Sequence, residues 1–128
     1  QRVAKRFRHG RVFLAGDAAH INNPLGGMGM NGGIHDAVNV TNILRAIWDR
    51  PATAEHLDRY ERQRRAVTLQ AVQKHTIQNK KDLESATEAD RASFRARLQA
   101  ALDDRGERRA FLQRLAMITS LKQAAAIT

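Results

Sequence analysis

The chain has 128 residues, a formal net charge of +9 and no cysteine. Without cysteine there are no disulfides, thiolate nucleophiles or Cys-type zinc sites; there is also no secretory leader pattern and no apolar run of about 18 residues, the length a membrane-spanning helix needs. Arg59, Arg62 and Arg64 alternate with Asp58 and Glu61, and Arg105, Arg108 and Arg109 with Asp103, Asp104 and Glu107, so solvated helix faces explain the charge better than a nucleic-acid surface does.

Only the stretch from Arg2 to Arg11 is basic without an acidic neighbour, and one Trp, one Tyr and four Phe make no stacking platform for single strands. A cytoplasmic setting is expected. In chain order, residues 11–15 (RVFLA) read as a short buried strand bounded by Gly10 and Gly16. Residues 17 to about 29 read as a loop, with Asn22, Asn23, Pro24, Gly26 and Gly27 as breakers. A helix is expected from about Met30 to Trp48. Ile34, Ala37, Val38, Leu44 and Trp48 make one apolar face, and Val40, Ile43 and Ile47 carry it round the cylinder, the pattern of a buried helix with layers on both sides. Asp49-Arg50-Pro51 ends it.

The remainder is helical in pattern. Leu57, Tyr60, Val67 and Ala71 repeat through a long polar stretch to about Glu84. Thr87 and Asp90 resemble a capping pair. Phe94, Leu98, Ala101 and Leu102 form a stripe ending near Gly106, and one last helix carries Phe111, Leu115, Ile118 and Leu121. A boundary near Pro51 divides a core segment, 1–50, from an amphipathic helical tail, 51–128. The fold expected is mostly α with one strand. A lone strand cannot satisfy its own backbone groups, so residues 11–15 are expected to join a parallel sheet supplied by other sequence. With Gln1 in place of an initiating Met, this leads to the expectation of a C-terminal part of a larger protein.

Asp17 follows the strand directly. Ligands of open α/β sheets bind at strand carboxyl ends, where a carboxylate can accept hydrogen bonds from two hydroxyls of a sugar alcohol. Asp17 as a mere turn cap is the alternative. Residues 27–32 (GMGMNG) match G-x-G-x-x-G literally, but about ten loop residues and Pro24 separate them from the strand, so the usual pyrophosphate cradle is not expected. What survives is a helix start, with unpaired amides and a positive dipole end that favour an anion or a polarised carbonyl; a plain tight loop is the alternative. His9, His20, His35, His56 and His75 lack metal-ligand spacing, so no metal site is expected, and His20 is read as bonding locally. No serine sits in a nucleophile elbow. Met28 and Met30 read as packing or ring-contacting groups. Asn39, inside a buried helix, needs a partner, most simply a loop carbonyl.

Gly16-Asp17-Ala18-Ala19-His20, Pro24, Gly26-Gly27, Gly29, Asn31, Gly33, Asp36-Ala37 and Asn39 together resemble the second FAD-binding motif of the class A flavoprotein aromatic hydroxylases, the p-hydroxybenzoate hydroxylase type. Residues 10–15 resemble the strand before that motif, and Tyr60-Glu61-x-x-Arg64-Arg65 resembles the family's tail helix more loosely. Asn42-Ile43 stands where many members have Trp-Lys, and Val40 where they have Leu; these departures blur the subfamily and leave the cofactor motif intact.

The resemblance implies an α/β FAD-binding domain of the Rossmann-like, glutathione-reductase type. It implies cofactor contacts at Gly16, Asp17, Pro24, Gly27, Gly29, Met30 and Asn31: Asp17 on the ribityl chain, the helix-start backbone at the pyrimidine edge of the flavin, and Pro24 beside flavin and substrate ring as the catalytic candidate. It further implies FAD as cofactor, NADH or NADPH and O2 as co-substrates, a small phenol-like aromatic substrate, and further FAD and substrate domains upstream. The isolated chain is then expected to hold FAD poorly. Rivals are another FAD enzyme of the superfamily, a halogenase or an isoprenoid reductase, and a basic helical nucleic-acid-binding or subunit-contact module over 52–128, the latter giving a homodimer.

Overall fold

The computed structural model describes residues 2–49, 54–84 and 87–128. Among them, four two-residue strands and a 3-10 turn precede six α-helices: β1 (Arg2–Val3), β2 (Arg8–His9), β3 (Val12–Phe13), the turn Gly16–Ala18, β4 (His20–Ile21), α1 (Met28–Asp49), α2 (Ala54–Val67), α3 (Gln73–Leu83), α4 (Glu88–Asp103), α5 (Arg105–Leu115) and α6 (Ile118–Ala125). A π-helical segment, Thr68–Val72, joins α2 to α3 without a break in helical backbone.

The strand expected over 11–15 forms only at Val12–Phe13, and its partner is local. β2 and β3 pair antiparallel, Arg8 opposite Phe13 and His9 opposite Val12. Gly10 (φ +58°) and Arg11 make the two-residue turn between them; a positive φ at the first turn position is the signature of a type II′ hairpin. β1 and β4 form a second antiparallel ribbon, Arg2 opposite Ile21 and Val3 opposite His20. The expectation of one lone strand is therefore corrected: the two strands of each ribbon satisfy one another, and no parallel pairing occurs among the described residues.

Phe7, Ala19 and Tyr60 form the buried centre, with Phe13, Leu14, Val40 and Ile43 packed around it. The Tyr60 hydroxyl donates to the Leu14 carbonyl at 2.7 Å, and the Glu61 carboxylate accepts from the Phe7 and Arg8 amides at 2.8 and 3.0 Å. α2 thus ties down the hairpin from outside it. Burial raises the Tyr60 pKa, and the nearby Asp36 charge adds to it, so the phenol stays protonated.

α1 begins at Met28, and the loop expected before it contains the 3-10 turn and β4. The expected burial of α1 on most sides is corrected. Met30 is 74 % and Trp48 91 % exposed, and Ile34, Val38 and Leu44 are exposed with them. The i, i+4 apolar stripe faces away from α2 and the turn, while Gly32 and Asp36 face inward.

The long polar stretch is helical as expected, through α2, the π segment and α3. The expected boundary at Pro51 lies outside the described residues. Thr87 caps α4, its hydroxyl accepting from the Asp90 amide at 3.1 Å. The stripe expected to end near Gly106 stops at Asp103, because Asp104 turns out of the helix and caps α5 through the Glu107 amide at 2.7 Å. The single last helix is in fact two. Met117 (φ +58°) breaks it, held in that left-handed conformation with its side chain buried against Met28 and Val72.

Candidate cofactor site

The turn after β3 is fixed to α1 by two close fits. Gly16 has φ +60°, and a Cβ on Gly33 would lie 3.3 Å from its Cα. A Cβ on Gly32 would lie 3.3 Å from the His20 ring. These glycines bring the turn and the β4 histidine down onto the helix.

Beneath that contact sits Asp36, 0 % exposed. Its Oδ2 accepts from the Gly16 amide at 3.0 Å and from His20 Nε2 at 2.7 Å; its Oδ1 accepts from Arg64 Nε at 2.6 Å. Asn22 Nδ2 lies 3.2 Å from His20 Nδ1, on the side of the ring away from the carboxylate. Arg64 is itself 1 % exposed, so its place among the solvated arginines is corrected. It follows Tyr60 by four residues and precedes Val67 by three, which puts it on the buried face of α2. Burial alone would raise the Asp36 pKa; the hydrogen bonds from His20 and Arg64, the Arg64 charge and the Gly16 amide outweigh it and hold the carboxyl below its ordinary value. His35 lies beside this pair, its pKa lowered by burial and then by Arg64, against the opposing pull of Asp36.

Two further readings are refined here. The bonds of His20 reach sixteen residues along the chain, beyond a purely local role. Asn39 finds a side chain rather than a loop carbonyl: its Nδ2 donates to Gln63 Oε1 at 2.8 Å, and Gln63 Nε2 donates onward to the Ile127 carbonyl at 2.7 Å.

The residues expected to touch a cofactor sit above this support. Asp17, in the 3-10 turn, is exposed and its carboxylate makes no hydrogen bond to the described residues, so it does not act as a turn cap. Gly27 and Gly29 stand at the start of α1, and a Cβ on either would meet nothing within 4 Å. Met30 and Asn31 are exposed there too; Asn31 Nδ2 braces the loop by donating to the Gly27 carbonyl at 3.2 Å. Pro24 is exposed and lines an open cavity of 560 Å3 with Asn23, Ile77 and Lys80. In the same loop Asn22 Oδ1 is buried without a partner. The glycines of the literal G-x-G-x-x-G thus divide by job. Gly32 and its neighbour Gly33 make room for protein, while Gly27 and Gly29 leave open backbone beside amides that a helix start leaves unpaired.

A free carboxylate, a flat glycine surface and a helix N-terminus suit a polyhydroxyl chain joined to a ring that gathers negative charge. The model of the FAD binding domain family matches residues 1–75. This chain belongs to that family. FAD, the cofactor of the FAD binding domain, fits the donor and acceptor set just described.

The wider chain has relatives as well. It is 39 % identical over 112 residues to para-nitrophenol 4-monooxygenase of Pseudomonas sp. (strain WBC-3), covering 88 % of this chain and 28 % of that protein. It is 40 % identical over 83 residues to 6-hydroxy-3-succinoylpyridine 3-monooxygenase of Pseudomonas putida (strain DSM 28022 / S16), covering 65 % of this chain and 21 % of the other. The crystal structure of p-nitrophenol 4-monooxygenase from Pseudomonas putida DLL-E4 superposes with a TM-score of 0.83 at 36 % identity, over 94 % of this chain and 30 % of that one. The chain therefore spans less than a third of the length of these relatives. The resemblance to flavoprotein aromatic hydroxylases, read from Gly16 to Asn39, is borne out by the FAD binding domain match and by these relatives.

The main omission of sequence reasoning is the support beneath the site. Asp36, His20 and Arg64 were separately visible, yet their convergence needed the turn to fold back by Gly33.

Proposed function

We propose that this chain forms the flavin-ring half of the FAD site in a monooxygenase that hydroxylates a phenol-like aromatic substrate with NADH or NADPH and O2. The observation that carries the reading is the unpartnered Asp17 carboxylate, set on a turn that Asp36 fixes to the glycine-open start of α1. When bound, FAD supplies the redox chemistry that takes electrons from the nicotinamide and activates oxygen.

The chain's own residues bind and orient. Asp17 would accept hydrogen bonds from ribityl hydroxyls, with the Gly16 backbone beside it. The backbone of Gly27, Gly29, Met30 and Asn31 would face the pyrimidine edge, where helix-start amides stabilise negative charge. Pro24 would stand against the ring and help keep water from it. The apolar stripe of Met30, Ile34, Val38 and Trp48 would pack under a parallel sheet contributed by the rest of the protein, giving a Rossmann-like α/β domain. The relatives matched are monooxygenases, which favours this chemistry over halogenation or isoprenoid reduction. The proposed setting is the cytoplasm; no helix among the described residues is long and apolar enough to cross a membrane.

Asp17→Ala in the full-length protein tests the reading. The variant should purify with most of its flavin lost, read as the ratio of absorbance at the flavin visible band to that of protein. A fully yellow preparation would remove Asp17 from the site.

A further inference from the structure

Away from the flavin residues, α3, α4 and α5 enclose a cavity of 520 Å3, within the roughly 300–1,000 Å3 of small-molecule sites. Its walls are apolar in the middle, with Phe94 and Leu98 from α4 and Phe111 from α5. Its two ends differ in charge. On α3, Lys74 and His75 line it near the helix start, and Asp82, with Arg97 of α4 beside it, near the helix end; on α5, Arg114 lines it seven residues beyond Glu107. Seven residues are about 10 Å along a helix and return to nearly the same face, so each helix presents both ends to one space. Lys74, His75 and Arg114 also line a smaller neighbouring cavity together, which sets the cationic ends of the two helices side by side.

The charges at the two ends are matched differently. Asp82 is held by Arg97, whose Nη2 donates to it at 2.5 Å, while that guanidinium lies 5.8 Å from the Phe94 ring centroid. The side chains of Lys74, His75 and Arg114 have no hydrogen bond or ion pair with the described residues. Burial first, and then the Arg114 and Lys74 charges, lower the His75 pKa. Met28, at the start of α1, lines the same cavity, so a positive helix end also stands near it.

We propose that this cavity is a second binding site, for a small aromatic anion, with its carboxylate or phenolate on Arg114, Lys74 and His75 and its ring between Phe94, Leu98 and Phe111. Glu107 and the paired Asp82 disfavour an anion at the opposite end, so the ligand binds in one orientation, and a hydroxyl on the far side of its ring has acceptors there. The cavity reaches the start of α1 only through Met28; none of the residues proposed to touch the flavin lines it, and it does not depend on the flavin reading.

The test is a titration of the full-length protein with 4-fluorobenzoate, followed by 19F NMR, beside the neutral 4-fluorobenzyl alcohol and inorganic phosphate. A bound fluorobenzoate signal is expected whose affinity drops about tenfold or more in Arg114→Gln, the worth of one charge-assisted hydrogen bond, and by less in Lys74→Gln. Because the Arg114 side chain makes no bond to the described residues, its removal orphans no group; should that variant nevertheless fold poorly, Lys74→Gln and Phe111→Leu must still weaken binding. The alcohol should bind more weakly by a similar factor, and phosphate should not displace the aromatic ligand at equal concentration. Unchanged fluorobenzoate binding in both charge variants would overturn the site. Equal binding of the alcohol would reduce it to an apolar groove, and displacement by phosphate to a bare cationic patch; either outcome overturns the aromatic-anion assignment. Flavin content is not the readout, so this experiment and Asp17→Ala fail separately.

Discussion

The first half of the molecule and its helical tail solve the charge problem in opposite ways. Around Asp36 the charges are buried: one carboxylate takes donors from the Gly16 turn, from β4 and from α2, all out of water. In the tail most of the paired charges stay wet. Glu88 pairs with Arg91 and Arg95, and Lys80 with Glu84, all on the surface. Exposed pairs of that kind are worth about 0–1 kcal/mol, whereas breaking a buried pair costs about 3–5 kcal/mol, since the remaining ion keeps its desolvation penalty. A turn proposed to hold a cofactor needs one geometry, and a buried ion with three directed donors permits only one. The tail needs only to fold, and weak pairs suffice.

The largest effect expected is therefore at Asp36. Asp36→Asn removes the counter-charge of a buried arginine and should destabilise the protein by about 3–5 kcal/mol, measured by denaturant unfolding of the full-length protein. The same carboxyl predicts a pH dependence. Its pKa is lowered on folding from 3.8, so its contribution is complete above that value and is lost as pH falls toward the folded pKa. Wild-type stability should decline across that acid window, and Asp36→Asn should show a flatter decline there. Equal acid slopes in the two proteins would take Asp36 out of the linkage.

A smaller pair of changes separates the glycines that serve the protein from those facing the proposed ligand. Gly33→Ala puts a methyl 3.3 Å from the Gly16 backbone, and overpacking of about 1–3 kcal/mol should outweigh the roughly 1 kcal/mol that alanine gains in a helix. Stability and flavin content should fall together. Gly29→Ala meets nothing within 4 Å, so stability should hold or rise while flavin content falls. If Gly29→Ala retains its flavin, the open backbone at the start of α1 is not a cofactor surface.

What the sequence revealed, and what it hid, follows the same division. The Gly16-Asp17 turn and the glycine-rich start of α1 were readable because they form a fixed local pattern, whose proposed chemistry rests on backbone and one carboxylate. The hub was not. Arg64 alternates with Glu61 and Asp58, so a charge count places it in solvent, and only its spacing from Tyr60 and Val67 marks the buried face. The hairpin was hidden because a strand of two residues has no periodicity to read, and Gly10 serves equally well as a boundary or as a turn. The break at Met117 has no local signal, since a methionine at φ +58° is held there by its contacts with Met28 and Val72. The apolar face of α1 was legible as apolar, but an apolar pattern does not say which element covers it.

The smallest change tests whether the tail is independent of the flavin site. Thr87→Ala removes the hydroxyl that accepts from the Asp90 amide at the start of α4 and should cost about 1 kcal/mol. Nothing in the Asp36 hub touches Thr87, so the loss should be local: faster amide exchange over residues 88–103, with flavin content unchanged. It should also loosen the α4 wall of the aromatic-anion cavity, since Phe94 and Leu98 lie within two to three turns of the lost cap. Fluorobenzoate affinity should therefore fall a few-fold while flavin retention does not, because α4 walls the cavity and takes no part in the Asp36 hub. A variant that sheds flavin would show instead that α4 bears on the turn through α3, where Asn79 Nδ2 donates to the Leu25 carbonyl at 3.4 Å, and the contrast between a fixed half and an independent tail would give way.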